Sequence, residues 1–324
     1  MNLESIPKAE LHCHLEGAAR PELVRRLARE HGIDLAHVFD ADGRYVQGDF
    51  TTFLATYDDV VEVFRTPEDY GALALDHYTW LAEQGAIYAE IFVSPAHANR
   101  SGFGWPALVE AIVAGIDEAR GAHGIEGRIV ATGVRHFGPE SVLEAARIVA
   151  DHPHPWVTGF GLAGDERQHH VRDFAPAFDI VREAGLGLTA HAGEFAGPQS
   201  VVDALDWLKV GRIGHGVRAI EDEAVVDRLA AERIVLEVCP GSNIALGIYE
   251  EAADHPLGRL WDAGVRVTLN SDDPPFFHTD LAAEYAFAAE EKRLEEANLR
   301  EITRTAVEAA FVDEATRARL LARV

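Results

Sequence analysis

Short apolar, β-branched runs recur along the chain, each followed by a longer stretch whose apolar residues fall at helical spacing. The runs predict strands ending near His14, Ser94, Val134, Leu162, His191, His215, Val238 and Ser271. From Val134 onward these ends lie 23 to 33 residues apart, the length of one βα unit. The segments between them predict helices. Pro21 to Glu30 opens with proline, carries Leu23, Val24 and Leu27 on one face, and has Gly32 just past its end. Arg218 to Arg233 repeats the pattern with Val225, Val226 and Leu229. Eight strands alternating with helices predict an α/β protein whose parallel sheet closes into a (β/α)8 TIM barrel. An open doubly wound sheet would show the same alternation. The stretch between the first two strands, about 70 residues, exceeds one crossover helix, so extra helices are expected over the C-terminal mouth. Asp280 to Val324 reads as the last helix plus a helical tail, and residues 1–324 as one domain.

Composition narrows the function. Of 324 residues 48% are apolar, and 54 acidic against 29 basic side chains leave a net charge of −25. That sign argues against nucleic acid or an acidic membrane as partner, since both demand a basic surface. Cys13 and Cys239 cannot build a disulfide framework, which fits a reducing compartment. The start, MNLESIPKAELH, does not read as a signal peptide, and no uncharged apolar run reaches the ~18 residues of a membrane span. A cytoplasmic location is the expectation.

Polar outliers cluster at strand C-terminal ends, where a barrel of this kind carries its active site. His12 and His14 share one face of the first strand, and Cys13 points the other way. His191-Ala-Gly-Glu194 follows the fifth strand, where Gly193 permits a tight turn. Gly214-His215-Gly216 ends the sixth, and Asn270-Ser271-Asp272-Asp273 ends the eighth. His12, His14, His191 and Asp272 form a three-nitrogen, one-oxygen set that suits one zinc ion with a position left for water. Such an ion lowers the pKa of bound water from 15.7 to about 7. Cys239 reads as a small buried residue. Lys8, Lys209 and Lys292 are the only lysines and none ends a strand, which excludes a metal pair bridged by a carboxylated lysine. Gly159, Gly161 and Gly164 fit GxGxxG formally but sit at the fourth strand, outside the N-terminal βαβ unit of a dinucleotide site.

In this order, Ala9-Glu10-Leu11-His12-Cys13-His14-Leu15-Glu16-Gly17, Leu162-Ala163-Gly164-Asp165-Glu166, His191-Ala192-Gly193-Glu194, Arg212-Ile213-Gly214-His215-Gly216, Cys239-Pro240 and Leu269-Asn270-Ser271-Asp272-Asp273-Pro274 resemble the adenosine/adenine deaminase family of zinc-dependent hydrolases. The resemblance spans nearly the whole chain. It implies a barrel with one Zn2+ per chain, held by His12, His14, His191 and Asp272, and an activated water attacking C6 of a 6-aminopurine. Glu194 would protonate ring N1, His215 would assist the water and steady developing charge, and Asp272 would also orient that water. His14, Glu16, Gly164 and Asp273 would face the substrate, Asp273 at N7 and the Gly164 N–H at N3.

Two departures bear on the substrate. Adenosine deaminases carry Asp where this chain has Glu16, and Asp where it has Gly161. Glu16 is more like the adenine deaminases and other relatives that accept altered nucleosides, whereas Leu162 to Glu166 is more like the nucleoside enzymes. The expectation drawn here is adenosine or a modified adenosine, with free adenine as the alternative. The net negative charge weighs against a phosphorylated purine. A metal hydrolase acting on another bond is the rival enzyme reading, and Glu194 argues against it, because phosphoester hydrolysis needs no ring-protonating acid. A zinc-stabilised scaffold is the non-catalytic rival. Structural zinc sites are closed by compact, Cys-rich loops, unlike ligands spread from 12 to 272.

Overall fold

The structure, a computed structural model, describes residues 3–324. Eight parallel strands follow one another around a barrel in chain order: β1 Lys8–Glu10, β2 Ala86–Val93, β3 Glu126–Val134, β4 Val157–Ala163, β5 Gly187–Ala192, β6 Arg212–His215, β7 Val235–Val238 and β8 Arg266–Leu269. Helices cover the outer face, so the strands are buried on both sides and read as near-continuous apolar runs. All eight residues of β2 are buried.

Closure distinguishes this barrel from an open sheet. Beyond the formal strand ends, the Asp272 N–H donates to the His12 carbonyl at 3.1 Å and the His14 N–H donates to the Asp272 carbonyl at 2.9 Å. Leu11 N–H donates to Asn270 Oδ1 at 2.8 Å. Glu10 Oε1 accepts from both the backbone N–H and the hydroxyl of Ser271, at 2.7 and 2.5 Å. Side chains thus take over part of the ladder. That is why β1 and β8 end at Glu10 and Leu269, four and two residues short of the expected His14 and Ser271.

The long segment after β1 folds into α1 Pro21–His31, α2 Phe50–Val61 and α3 Pro67–Glu83. α1 begins on Pro21 and ends at Gly32, whose φ of +68° is the left-handed conformation that closes a helix cheaply. Asp49 caps α2 by accepting from the Thr52 N–H, and Thr66 and Asp69 form a capping box on α3. Expected as one helix, Arg218 to Arg233 is divided: a short 3-10 turn, Val217–Glu221, precedes the helix Glu223–Ala231. Asp222 breaks the run by capping Ala224. The tail folds as three helices, Leu281–Glu290, Glu296–Ala309 and Glu314–Leu321. No helix among the described residues is long and apolar enough to cross a membrane.

The barrel interior holds charge. Arg212, 2% exposed, pairs with Glu90 Oε2 and Glu237 Oε1, each at 2.6 Å, and its guanidinium lies 3.6 Å above the Phe311 ring centre. Phe311 plugs the N-terminal end of the barrel. A Cβ on Gly187 would fall 2.1 Å from its ring and one on Gly159 2.6 Å, so both positions exclude side chains. Replacing Arg212 by Met would leave two buried carboxylates without their cation. A loss of about 3–5 kcal/mol is expected, read as a lowered urea midpoint; an unchanged midpoint would show that the pair contributes nothing.

Candidate active site

His12 and His14 leave β1 on its inward face and meet His191 of β5 and Asp272 beyond β8. Cys13 is fully buried and turned away, within 4.8 Å of Glu10 and His77. The inward nitrogens converge. His191 Nε2 lies 3.1 Å from His12 Nε2 and 3.3 Å from His14 Nε2, and Asp272 Oδ1 lies 3.4 Å from both His12 Nε2 and His14 Nε2. A tetrahedral zinc with ligands at 2.0–2.1 Å has ligand–ligand edges of about 3.3 Å, so the donor set matches that ion in type and spacing. Two of the imidazoles are oriented from behind. His12 Nδ1–H donates to Glu237 at 2.8 Å, and His191 Nδ1–H donates to the Leu162 carbonyl at 3.0 Å. Both therefore present a bare Nε2, the arrangement that outer hydrogen bonds impose on metal-binding histidines.

A second grouping, His12, His215, Cys239 and Asp272, also falls within 4.8 Å. It fits less well. The Cys239 thiol is spent on the Glu237 carbonyl at 3.5 Å, and burial, reinforced by the charge of Asp272, pushes its pKa up and away from thiolate. His215 Nε2 reaches no closer than 3.9 Å to Asp272 Oδ2.

The proton on His215 is assigned by a relay. The Leu257 N–H donates to His255 Nδ1 at 3.3 Å, so His255 carries its proton on Nε2 and donates it to Asn243 Oδ1 at 3.1 Å. Asn243 then presents its NH2 to His215 Nδ1 at 3.3 Å. His215 is left with an Nε2–H directed into the site, 3.7 Å from Glu194 Oε2. Burial drives its pKa down to about 3, so the ring is neutral. His215 and Asp272 both have left-handed backbones, with φ +60° and +63°. Two non-glycine residues in that conformation at strand ends mark strain concentrated at the site.

Glu194 is reached through Gly193 at φ +70°, where a Cβ would also fall 2.6 Å from Val201. Burial, then the charges of Asp272 and Glu166, raise the Glu194 pKa well above the carboxylate range. The same causes, burial and then Asp272, raise Asp273, whose Oδ1 is buried without a protein partner. Gly17 makes room for that carboxyl, since a Cβ there would stand 1.6 Å from Asp273 Oδ1. Gly164, at φ +96°, lies against His136, where a Cβ would meet Nδ1 at 2.6 Å. Glu16 behaves oppositely to Asp273. It accepts from Tyr70 and His97 at 3.2 Å each and from Tyr57 at 3.3 Å. Burial works to raise its pKa, but the hydrogen bond and charge of His97 outweigh it and hold Glu16 below its ordinary value.

His14, Glu16, Gly164, His191, Glu194, His215, Asp272 and Asp273 thus line one pocket, with His12 fully buried behind them. α2 roofs it with Phe50, Phe53, Leu54 and Tyr57, and Phe277 closes the side. Among the described residues no lysine or arginine lines it. Sequence reasoning missed Glu237, Asn243, His255 and the Tyr57–Tyr70–His97 cradle. Glu237 alone left a signal, as the one charge inside the apolar run Ile234 to Val238.

The family model described as adenosine deaminase matches residues 7–324. Curated relatives named adenine deaminase, from Sinorhizobium medicae (strain WSM419) and Chelativorans sp. (strain BNC1), are each 57% identical over 317 residues, covering 98% of this chain and 98% and 97% of their own. Among solved structures, adenine deaminase from Arthrobacter aurescens superposes with a TM-score of 0.90 at 29% identity, covering 98% of each chain. An amidohydrolase from Burkholderia ambifaria solved with bound Zn gives 0.87 at 25% identity, over 99% of this chain and 90% of that one. The chain belongs to the adenosine deaminase family and is a hydrolase of cyclic amidine C–N bonds that deaminates an aminopurine.

Proposed function

We propose that the substrate is free adenine, converted with water to hypoxanthine and ammonia, at a site holding one zinc per chain. The observation that carries the chemistry is the convergence of three imidazole nitrogens and one carboxylate oxygen, 3.1 to 3.4 Å apart, beside the Glu194 carboxyl, whose pKa burial and Asp272 push well up. His12, His14, His191 and Asp272 would hold the ion. Bound zinc supplies Lewis acidity, bringing the pKa of a coordinated water near 7.

The chain's own groups supply the rest. Glu194 gives its proton to ring N1, so that addition at C6 does not leave negative charge on the ring. His215, neutral and with its proton on Nε2, donates a hydrogen bond where charge develops beside C6. Asp272 Oδ2, 3.9 Å from that nitrogen, orients the water. Asp273, whose pKa burial and Asp272 push up, would donate to N7, which removes the burial cost of its unpartnered Oδ1. The Gly164 N–H faces N3, and His14 borders the ring.

The choice of free base over nucleoside rests on Glu16 and on the names of the relatives, which are 55–57% identical and called adenine deaminases. On the purine perimeter N9 lies between N3 and N7, hence between Gly164 and Asp273. Glu16 lines the same pocket as Gly164 and Asp273 and would face that interval. Its carboxylate is fixed by three donors and kept as an acceptor. Free adenine offers an N9–H there, whereas a nucleoside offers ribose. The nucleoside preference drawn from Leu162 to Glu166 therefore gives way to the alternative. Among the described residues no arginine or lysine lines the pocket, which also counts against a phosphorylated purine.

Glu194→Gln should keep its zinc by elemental analysis yet lose at least ~100-fold in kcat; near-normal turnover would remove Glu194 from the reaction. His12→Ala should lose zinc and activity together. Glu237→Gln, which leaves the ligands intact, should weaken zinc by about 10–100-fold in chelator competition, and unchanged affinity would contradict its role behind His12. In ammonia-release assays, kcat/KM for adenine should exceed that for adenosine by at least ~100-fold, since a site built to accept N9–H penalises a group that lacks it. Equal values would restore the nucleoside reading.

A further inference from the structure

Residues 193–196, which carry Glu194, wrap around a single buried carboxylate contributed by another strand's loop. Glu166, 3% exposed, follows β4. Its Oε1 accepts from the Gly193 N–H and the Ser200 hydroxyl, each at 2.6 Å. Its Oε2 accepts from the N–H groups of Glu194, Phe195 and Ala196 at 3.0, 2.8 and 2.9 Å. Four successive backbone N–H groups converge on this one side chain, and the Gly193 N–H also reaches the Ser200 hydroxyl at 2.8 Å. Arg218 braces the outside of the same turn: its N–H donates to the Gly193 carbonyl at 2.8 Å and its guanidinium donates to the Phe195 carbonyl. The turn's shape is therefore set by the carboxylate at its centre. Gly193 sits in the left-handed region, and apart from Arg218 and Ser200 it is this carboxylate that keeps the turn from relaxing.

We infer that Glu166 is a positioning residue for the deamination, holding the 193–196 turn so that the Glu194 carboxyl stands at ring N1. This rests on the reading of Glu194 as the proton donor. Glu166 touches neither substrate nor metal ligands, and it acts by geometry. It also ties the turn to the loop that carries Gly164, two residues earlier, so one side chain spans the walls assigned to N1 and N3. A small displacement of a reacting group costs on the order of 100-fold in rate, and that loss falls on kcat, because N1 protonation is realised as C6 becomes tetrahedral.

The test compares zinc-loaded Glu166→Gln, Ser200→Ala and Glu194→Gln with the parent enzyme, reading kcat per bound zinc, KM for adenine and melting temperature. In Glu166→Gln the amide oxygen can serve one set of donors, but its NH2 must face the other. The expected result is a kcat per zinc lower by about 100-fold with KM within about threefold. Ser200→Ala, which removes one donor and keeps the carboxylate, should lower kcat by about fivefold, again with KM preserved. It decides the matter if Glu166→Gln does not fold. A kcat per zinc within twofold of the parent in the folded variants, while Glu194→Gln falls as expected, would overturn the inference and leave the role of Glu194 standing. Activity lost only in proportion to zinc or folded protein would also overturn it. Full turnover in Glu194→Gln would instead overturn the reading beneath it.

Discussion

Closing the barrel and assembling the candidate metal centre are the same event. The last backbone bonds between the two ends of the sheet run from Asp272 to His12 and His14, three of the four converging candidate ligands. A sheet that stayed open at β1 and β8 would leave Asp272 far from the imidazoles, and His191, across the barrel, would have nothing to meet. Glu10 reinforces the seam by holding Ser271 through two hydrogen bonds. The left-handed backbone of Asp272 then turns its side chain inward. Strain at that residue is tolerated because the closed sheet over-determines it.

Behind the seam, one line of buried charge runs up the barrel from Phe311 through Glu90, Arg212 and Glu237 to His12. Burial works against the charged form of Glu237, yet Arg212 and His12 keep it below its ordinary pKa. The same low-dielectric interior has the opposite effect on Glu194 and Asp273, which lack a facing cation and sit beside Asp272. Their pKa values rise instead. Carboxyls that differ only in their neighbours are thus pushed apart, Glu16 and Glu237 below their ordinary pKa and Glu194 and Asp273 above it. Acid–base assignments in active sites generally arise from environments that push pKa values apart in this way.

Much of this was legible in the residues themselves. Strand ends are marked by apolar runs that stop at His, Gly or Asp, and His12, His14, His191, Glu194, His215, Asp272 and Asp273 all stood at such ends. α1 was readable to within a residue from Pro21 and Gly32. What stayed hidden depends on contacts between distant segments. Asn243 and His255 sit in ordinary-looking loop sequence, and only the fold sets them behind His215. The division of Arg218 to Arg233 turned on Asp222 acting as a cap, a role that competes with its tolerance inside a helix. Leu162 to Glu166 suggested a nucleoside, but Gly164 and Glu166 both have reasons to be there that involve no ribose: a left-handed turn against His136, and the anchoring of 193–196.

The account stands on three imidazoles and one carboxylate sharing a single ion, with no sulfur among the ligands. X-ray absorption at the zinc edge of the loaded enzyme tests that most directly. The account predicts nitrogen and oxygen neighbours at about 2.0–2.1 Å with the outer-shell pattern of three imidazoles. A sulfur neighbour at about 2.3 Å would move the ion to the Cys239 grouping, and a second metal at about 3.5–4 Å would make the centre binuclear. Either result would contradict the account.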